Sequence, residues 1–144
     1  MNTQAIRIAR ILGWGGLLPF TVWPLATWLD VPDWLDTLLI AYGIVILAFM
    51  AGTLWLRHLL IEQMKTGMLI ASNSLALLAW PAVLMPLHWA AAWLTLLFAA
   101  HLVLDEPWRS YGHPGWYRRL RLGLSSSVIG LLLLSALIGF GRVL

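Results

Sequence analysis

His101 and Asp105 stand four residues apart in a largely apolar stretch. A helix would set them one turn apart on the same face, where a carboxylate can hold an imidazole as a proton relay or a ligand. The competing reading places both at the membrane interface, where hydration costs little. His58 and Glu62 repeat the spacing, and Arg57 beside them has the reach to snorkel to a phosphate. As neutral imidazoles on two helices, His58 and His101 would suit the axial positions of a haem, but no further cofactor-binding signature accompanies them, so the cofactor stays open. Asn73, between Ser72 and Ser74, is polar inside an apolar run and is expected to face another helix, as helix glue rather than as a substrate contact.

The long polar stretch, Asp105 to Arg121, reads DEPWRSYGHPGWYRRLR. Asp105, Glu106 and His113 are oxygen and nitrogen donors of the kind divalent ions accept, and Arg109, Arg118, Arg119 and Arg121 would face an anionic group. Trp108, Tyr111, Trp116 and Tyr117 are interleaved with them, which equally suits a segment lying on anionic lipid, each Arg contributing about 1 kcal/mol there. We therefore assign no metal site and read Trp108, Arg109, Trp116, Tyr117, Arg118, Arg119 and Arg121 as a surface that docks lipid or another protein. Signals for catalysis are absent: there is no H-E-x-x-H, no G-x-S-x-G, no phosphate loop and no dinucleotide fingerprint. The polar residues around His101, Asp105, His58, Arg57 and Asn73 remain a candidate ligand site.

The elements that must hold these residues follow from composition. Charged residues make up 10% of the chain and apolar ones 61%, whereas typical soluble domains have roughly 25% and 45–50%. So few charges cannot coat a water-facing globule, and the outer surface is expected to face lipid. The net charge of +3 is spread over short connections, which is a topology signal and not a nucleic-acid footprint. The absence of cysteine removes disulfides, thiol nucleophiles and thiolate-bound metals. Arg7 and Arg10 before an apolar run mimic a secretory signal, yet that run holds Gly13, Gly15, Gly16, Pro19 and Pro24 without a clear cleavage site, so it is expected to stay.

A bilayer span needs about 20 apolar residues. Five runs qualify, at about 11–29, 34–56, 67–85, 88–104 and 122–140, with 105–121 as the polar connection. Pro19 and Pro24 are expected to kink the first, and Pro107 to end the fourth. Ala41, Ala48 and Gly52 in the second run, and Gly123, Ser127 and Gly130 in the fifth, mark small-residue faces on which another helix would approach closely. With five spans, Arg7, Arg10, Arg57, Lys65, Arg109, Arg118, Arg119 and Arg121 fall on one side, and Asp30, Asp33 and Asp36 on the other. The positive-inside rule then makes the N-terminus cytoplasmic and the C-terminus periplasmic. Tryptophans near the span ends, such as Trp28, Trp34, Trp89 and Trp108, suit the headgroup belt.

LLPF at Leu17 to Phe20, the spaced Tyr42, Gly43, Phe49, Gly52 and Trp55, SLALLAW from Ser74 to Trp80 and WYRRLR at Trp116 to Arg121 run in order along the chain. Together they resemble a family of small bacterial membrane proteins of unknown function, domain of unknown function 3429, which includes transmembrane protein 69 of mitochondria. The resemblance implies a five-helix protein of an energy-transducing membrane and brings no assigned activity. Leu54 departs from it, standing where a polar or basic residue often precedes the tryptophan of the second helix.

The sequence thus predicts one all-α, polytopic domain over residues 1–144, a bundle of five transmembrane helices in a bacterial inner membrane. Its expected role is that of a non-catalytic subunit or assembly partner of a larger membrane complex, its partners being the bilayer and a membrane protein or further copies of itself. The alternative is a small transporter or ligand-binding bundle for a proton, solute, quinone or haem.

Overall fold

The computed structural model describes residues 3–29, 31–59, 66–109 and 115–144, without the side chains of residues 57, 58 and 106–109. Among the described residues, six α-helices and one 3₁₀ helix follow one another: α1 (Thr3–Gly15), α2 (Leu18–Leu29), α3 (Asp33–Leu59), α4 (Thr66–Ala79), the 3₁₀ turn Trp80–Leu84, α5 (Leu87–Arg109) and α6 (Gly115–Val143). No strand occurs among the described residues. Among the described residues, five stretches are long and apolar enough to cross a membrane: Thr3–Leu29, Asp33–Leu56, Thr66–Leu84, Leu87–Asp105 and Gly115–Val143.

Where the spans bend is set by glycine and proline, though not at the positions first expected. The first span breaks between α1 and α2, at Gly16 and Leu17, rather than at either proline. Pro19 is the second residue of α2, where a missing N–H leaves no bond unmade. Pro24 lies inside α2 without ending it. The break is tied down by Tyr42 of α3, whose hydroxyl donates to the Gly16 carbonyl at 2.8 Å. In the third span Pro81 opens the 3₁₀ turn, and Met85 is extended (φ −98°, ψ 148°), as steric pressure from the following Pro86 favours. Pro107 does not end α5, which continues to Arg109. The steric bias against a helical residue before proline is only a bias, and losing one backbone bond this near a helix end is tolerable.

The polar connection is also largely helical. α6 starts at Gly115, so Trp116 to Arg121 lie on its first turns and not in a loop.

The core runs down the middle of α5. Ala90, Ala91, Leu94 and Phe98 are buried there against Phe20 and Trp23 of α2, Leu47 of α3 and Leu132 of α6. Phe20 meets the Phe98 ring edge-on at a centroid distance of 6.0 Å and the Tyr42 ring at 5.4 Å. Outward faces carry Leu77, Trp80, Leu96, Val103 and Leu137, all well exposed within the chain, as a lipid-facing surface requires.

The small-residue faces expected to be helix seams are not the closest approaches. A Cβ on Gly52 or Gly130 would meet nothing within 4 Å, so those positions face outward. The close crossings are elsewhere. A Cβ on Gly43 of α3 would come within 2.9 Å of Leu94 and 3.1 Å of Trp23, and one on Gly139 of α6 within 3.2 Å of Thr27 and closer still to His88.

Candidate functional site

α3 and α5 run parallel and α6 runs antiparallel to both, so the ends of α3 and α5 meet the start of α6. Into this end each helix sends polar side chains, and they bond to one another. His101 and Asp105, one turn apart on α5, both point inward, with 1% and 0% of their surface exposed. The interfacial, hydrated alternative is therefore set aside: the pair is inside protein. The Asp105 carboxylate accepts from Arg121 Nε of α6 at 2.7 Å. Arg121 Nη2 donates to Thr53 Oγ1 of α3 at 2.7 Å, and Nη1 to the Tyr117 hydroxyl, one turn back on its own helix, at 3.1 Å.

Thr53 passes its own proton to the Met50 carbonyl at 2.7 Å. The same carbonyl lies 3.1 Å from His101 Nε2. A carbonyl can only accept, so this bond puts the imidazole proton on Nε2. Four links thus join Asp105, Arg121, Thr53, the Met50 carbonyl and His101 across three helices. At the same level Ser72 of α4 donates to the Ala51 carbonyl at 2.6 Å, fastening α4 to α3.

This geometry re-sorts the sequence candidates. Arg121 is not part of a docking surface: it is 6% exposed and serves as the partner of Asp105. Tyr117 goes with it as a part-buried acceptor. Arg118 and Arg119 do face outward. Asn73 is not glue between helices of this chain, because it sits on the exposed face of α4 and its Nδ2 donates to the Leu69 carbonyl one turn below, at 3.1 Å. The side chains of Arg57, His58, Trp108 and Arg109, and residues Glu62, Tyr111 and His113, lie outside what the structure describes. The haem idea loses one donor, since His101 Nε2 is committed to Met50. No group of three or more His, Asp or Glu side chains is placed to hold a metal among the described residues.

Sequence reasoning missed Thr53, because a threonine in an apolar run gives no sign of whether it bonds back to its own helix or across to another. Also missed was a second polar region at the other end of the bundle. There a cleft of about 680 Å³ is lined by Thr27, Asp33, Asp36, His88 and Arg142. Arg142 Nη1 donates to the carbonyls of Thr27 and Trp28 at 2.7 and 2.9 Å, closing the C-terminal end of α2. The acidic pair sits in the first turn of α3, where its charge meets the positive end of the helix dipole.

Between the two ends an apolar crevice of about 350 Å³ is lined by Phe20, Phe49, Phe98 and Ser125 among others. The Ser125 hydroxyl is buried without a hydrogen-bond partner, unlike Ser135, which bonds back to Leu131 at 2.8 Å.

Residues 5–137 match a family model described as a protein of unknown function, DUF3429. Comparison with curated proteins and with solved structures finds no match.

Proposed function

The chain belongs to the DUF3429 family, and from that premise we propose that it is a non-catalytic subunit or assembly partner of a larger complex in a bacterial inner membrane. What supports this is the way polar groups are divided between inside and outside. The buried set at the α3, α5 and α6 ends is bonded among its own members, so it reads as a lock that fixes three helices. The Asn73 carboxamide, by contrast, lies on the outer face of a span with only one of its N–H groups bonded to the chain. In hydrocarbon the remaining amide atoms are costly unless a neighbouring protein supplies partners, and an inter-helix bond to such a group contributes about 0.6–2 kcal/mol. Gly52 and Gly130, open to the outside, allow a second protein's helix to come close.

In this reading the basic end is cytoplasmic and the Asp33 and Asp36 end periplasmic. Extraction of the full chain in a mild detergent should bring a co-migrating membrane protein, and Asn73→Leu should release it without unfolding the bundle. A lone monomer or a homo-oligomer in repeated extractions, or a partner indifferent to Asn73→Leu, overturns the proposal.

A second reading, a proton relay or ligand-binding bundle, draws on the burial of His101 and Asp105 one turn apart. Proton flux in liposomes that is lost in His101→Ala and Asp105→Asn, while the fold survives, would favour it over the first.

A further inference from the structure

At the basic end, outside the buried network, α1 leans on the start of α6. Between them lies a cleft of about 500 Å³ lined by Arg10, Trp14, Gly115, Trp116, Arg119 and Leu120. Its charge is of one sign. Among the described residues two guanidinium groups line it, no carboxylate does, and neither arginine has an acidic partner.

The arginines are held differently. Arg10 lies over the Trp116 ring, its Cζ 5.9 Å from the centroid, a cation–π stack that orients the guanidinium while leaving its N–H edge open. Arg119 is exposed, one turn into α6. Two further donors point to an anion. Gly115 is the first residue of a 29-residue helix, so the positive end of the helix dipole sits at the rim. Trp116 lines the cleft, and its indole Nε1–H, a group that can only donate, is buried with no acceptor. Trp14 and Leu120 provide the apolar walls, and both belong to membrane-spanning stretches.

We infer that this cleft between α1 and α6 is a binding site for one anionic phospholipid, with its phosphodiester held by Arg10, Arg119 and the Trp116 indole N–H and its acyl chains against Trp14 and Leu120. A guanidinium fork matches two phosphate oxygens. A free phosphate would meet the same donors but gain nothing from the apolar walls. The site is independent of whether the protein has a protein partner.

The test is native mass spectrometry of the delipidated full chain, titrated with phosphatidylglycerol, phosphatidylcholine or inorganic phosphate. One phosphatidylglycerol should be retained in preference to phosphatidylcholine. Arg10→Gln should weaken it about fivefold and Arg10→Gln with Arg119→Gln about 25-fold, from about 1 kcal/mol per arginine at an anionic lipid. Trp116→Phe keeps the ring and removes the donor, and should cost about fivefold. Arg7→Gln, on α1 but outside the cleft, should change nothing, and circular dichroism should confirm that each variant stays helical. Equal retention of phosphatidylcholine, unchanged binding in the double variant, or an Arg7→Gln loss as large as that of Arg10→Gln overturns the assignment. Displacement of the lipid by inorganic phosphate at equal concentration also overturns it, since the cleft would then be an anion site without a lipid.

Discussion

The two ends of the bundle use the same residue types to opposite effect. At the end where α3 and α5 finish and α6 begins, Asp105 and Arg121 are buried and paired, and Thr53 and the Met50 carbonyl link them to the buried His101. At the other end Asp33, Asp36, His88 and Arg142 border an open cleft, and Arg142 donates to the backbone carbonyls of Thr27 and Trp28. Depth decides what each set is worth. A buried charge without its partner is very costly, whereas one at the rim falls back on water. The closed end therefore fixes the relative position of three helices, and the open end only trims the termini of α2 and α3.

Removing one partner from the closed end should have the largest effect. Asp105→Ala leaves the Arg121 guanidinium 6% exposed and without its carboxylate, which should cost roughly 3–5 kcal/mol in unfolding measured in detergent. Replacing both, Asp105→Leu with Arg121→Met, should recover most of that loss, because an apolar pair of similar size carries no desolvation penalty. If the double variant is as unstable as the single one, the network does more than pair charges. Next in size is Gly139→Ala, near the open end, where the new methyl would press on His88 and Thr27 and should cost about 1–3 kcal/mol. Arg142→Gln should cost only about 1 kcal/mol by the same measurement, since it removes the donor to two carbonyls at the end of α2. An Arg142→Gln loss as large as that of Asp105→Ala would erase the distinction between the ends.

Much of this was legible in the sequence. Five spans follow from hydrophobic length alone, and the spacing of His101 and Asp105 correctly placed them on one face of a helix. The partner of Asp105 was not legible. Arg121 sits in WYRRLR beside Arg118 and Arg119, and three arginines in four residues look alike until a helix turns one of them inward. That turn exists because α6 begins at Gly115, ahead of the apolar run, and the start of a helix inside a polar segment has no hydrophobic signature. The glycines misled for a related reason. Ala41, Ala48 and Gly52 form a stripe by spacing, but only neighbouring bulk reveals which glycine is pressed, and Trp23 and Leu94 press Gly43.

The smallest expected effect separates a lipid-facing glycine from one kept for a partner. Gly130 on α6 and Gly52 on α3 each have empty space where a Cβ would go, in contrast to Gly139. Alanine at either position should leave the isolated bundle unchanged or raise its stability by up to about 1 kcal/mol, from the lower conformational entropy of the unfolded chain. Nothing inside the chain opposes the methyl group. If these glycines face only lipid, the complex extracted in mild detergent should be equally indifferent to Gly52→Ala and Gly130→Ala. If a partner helix lies against them, the methyl must push it outward, and the co-migrating protein should be lost while the bundle itself is unharmed. A stability loss in the isolated bundle would mean instead that these faces are packed within the chain, and the proposed docking surface would move to the Asn73 face of α4 alone.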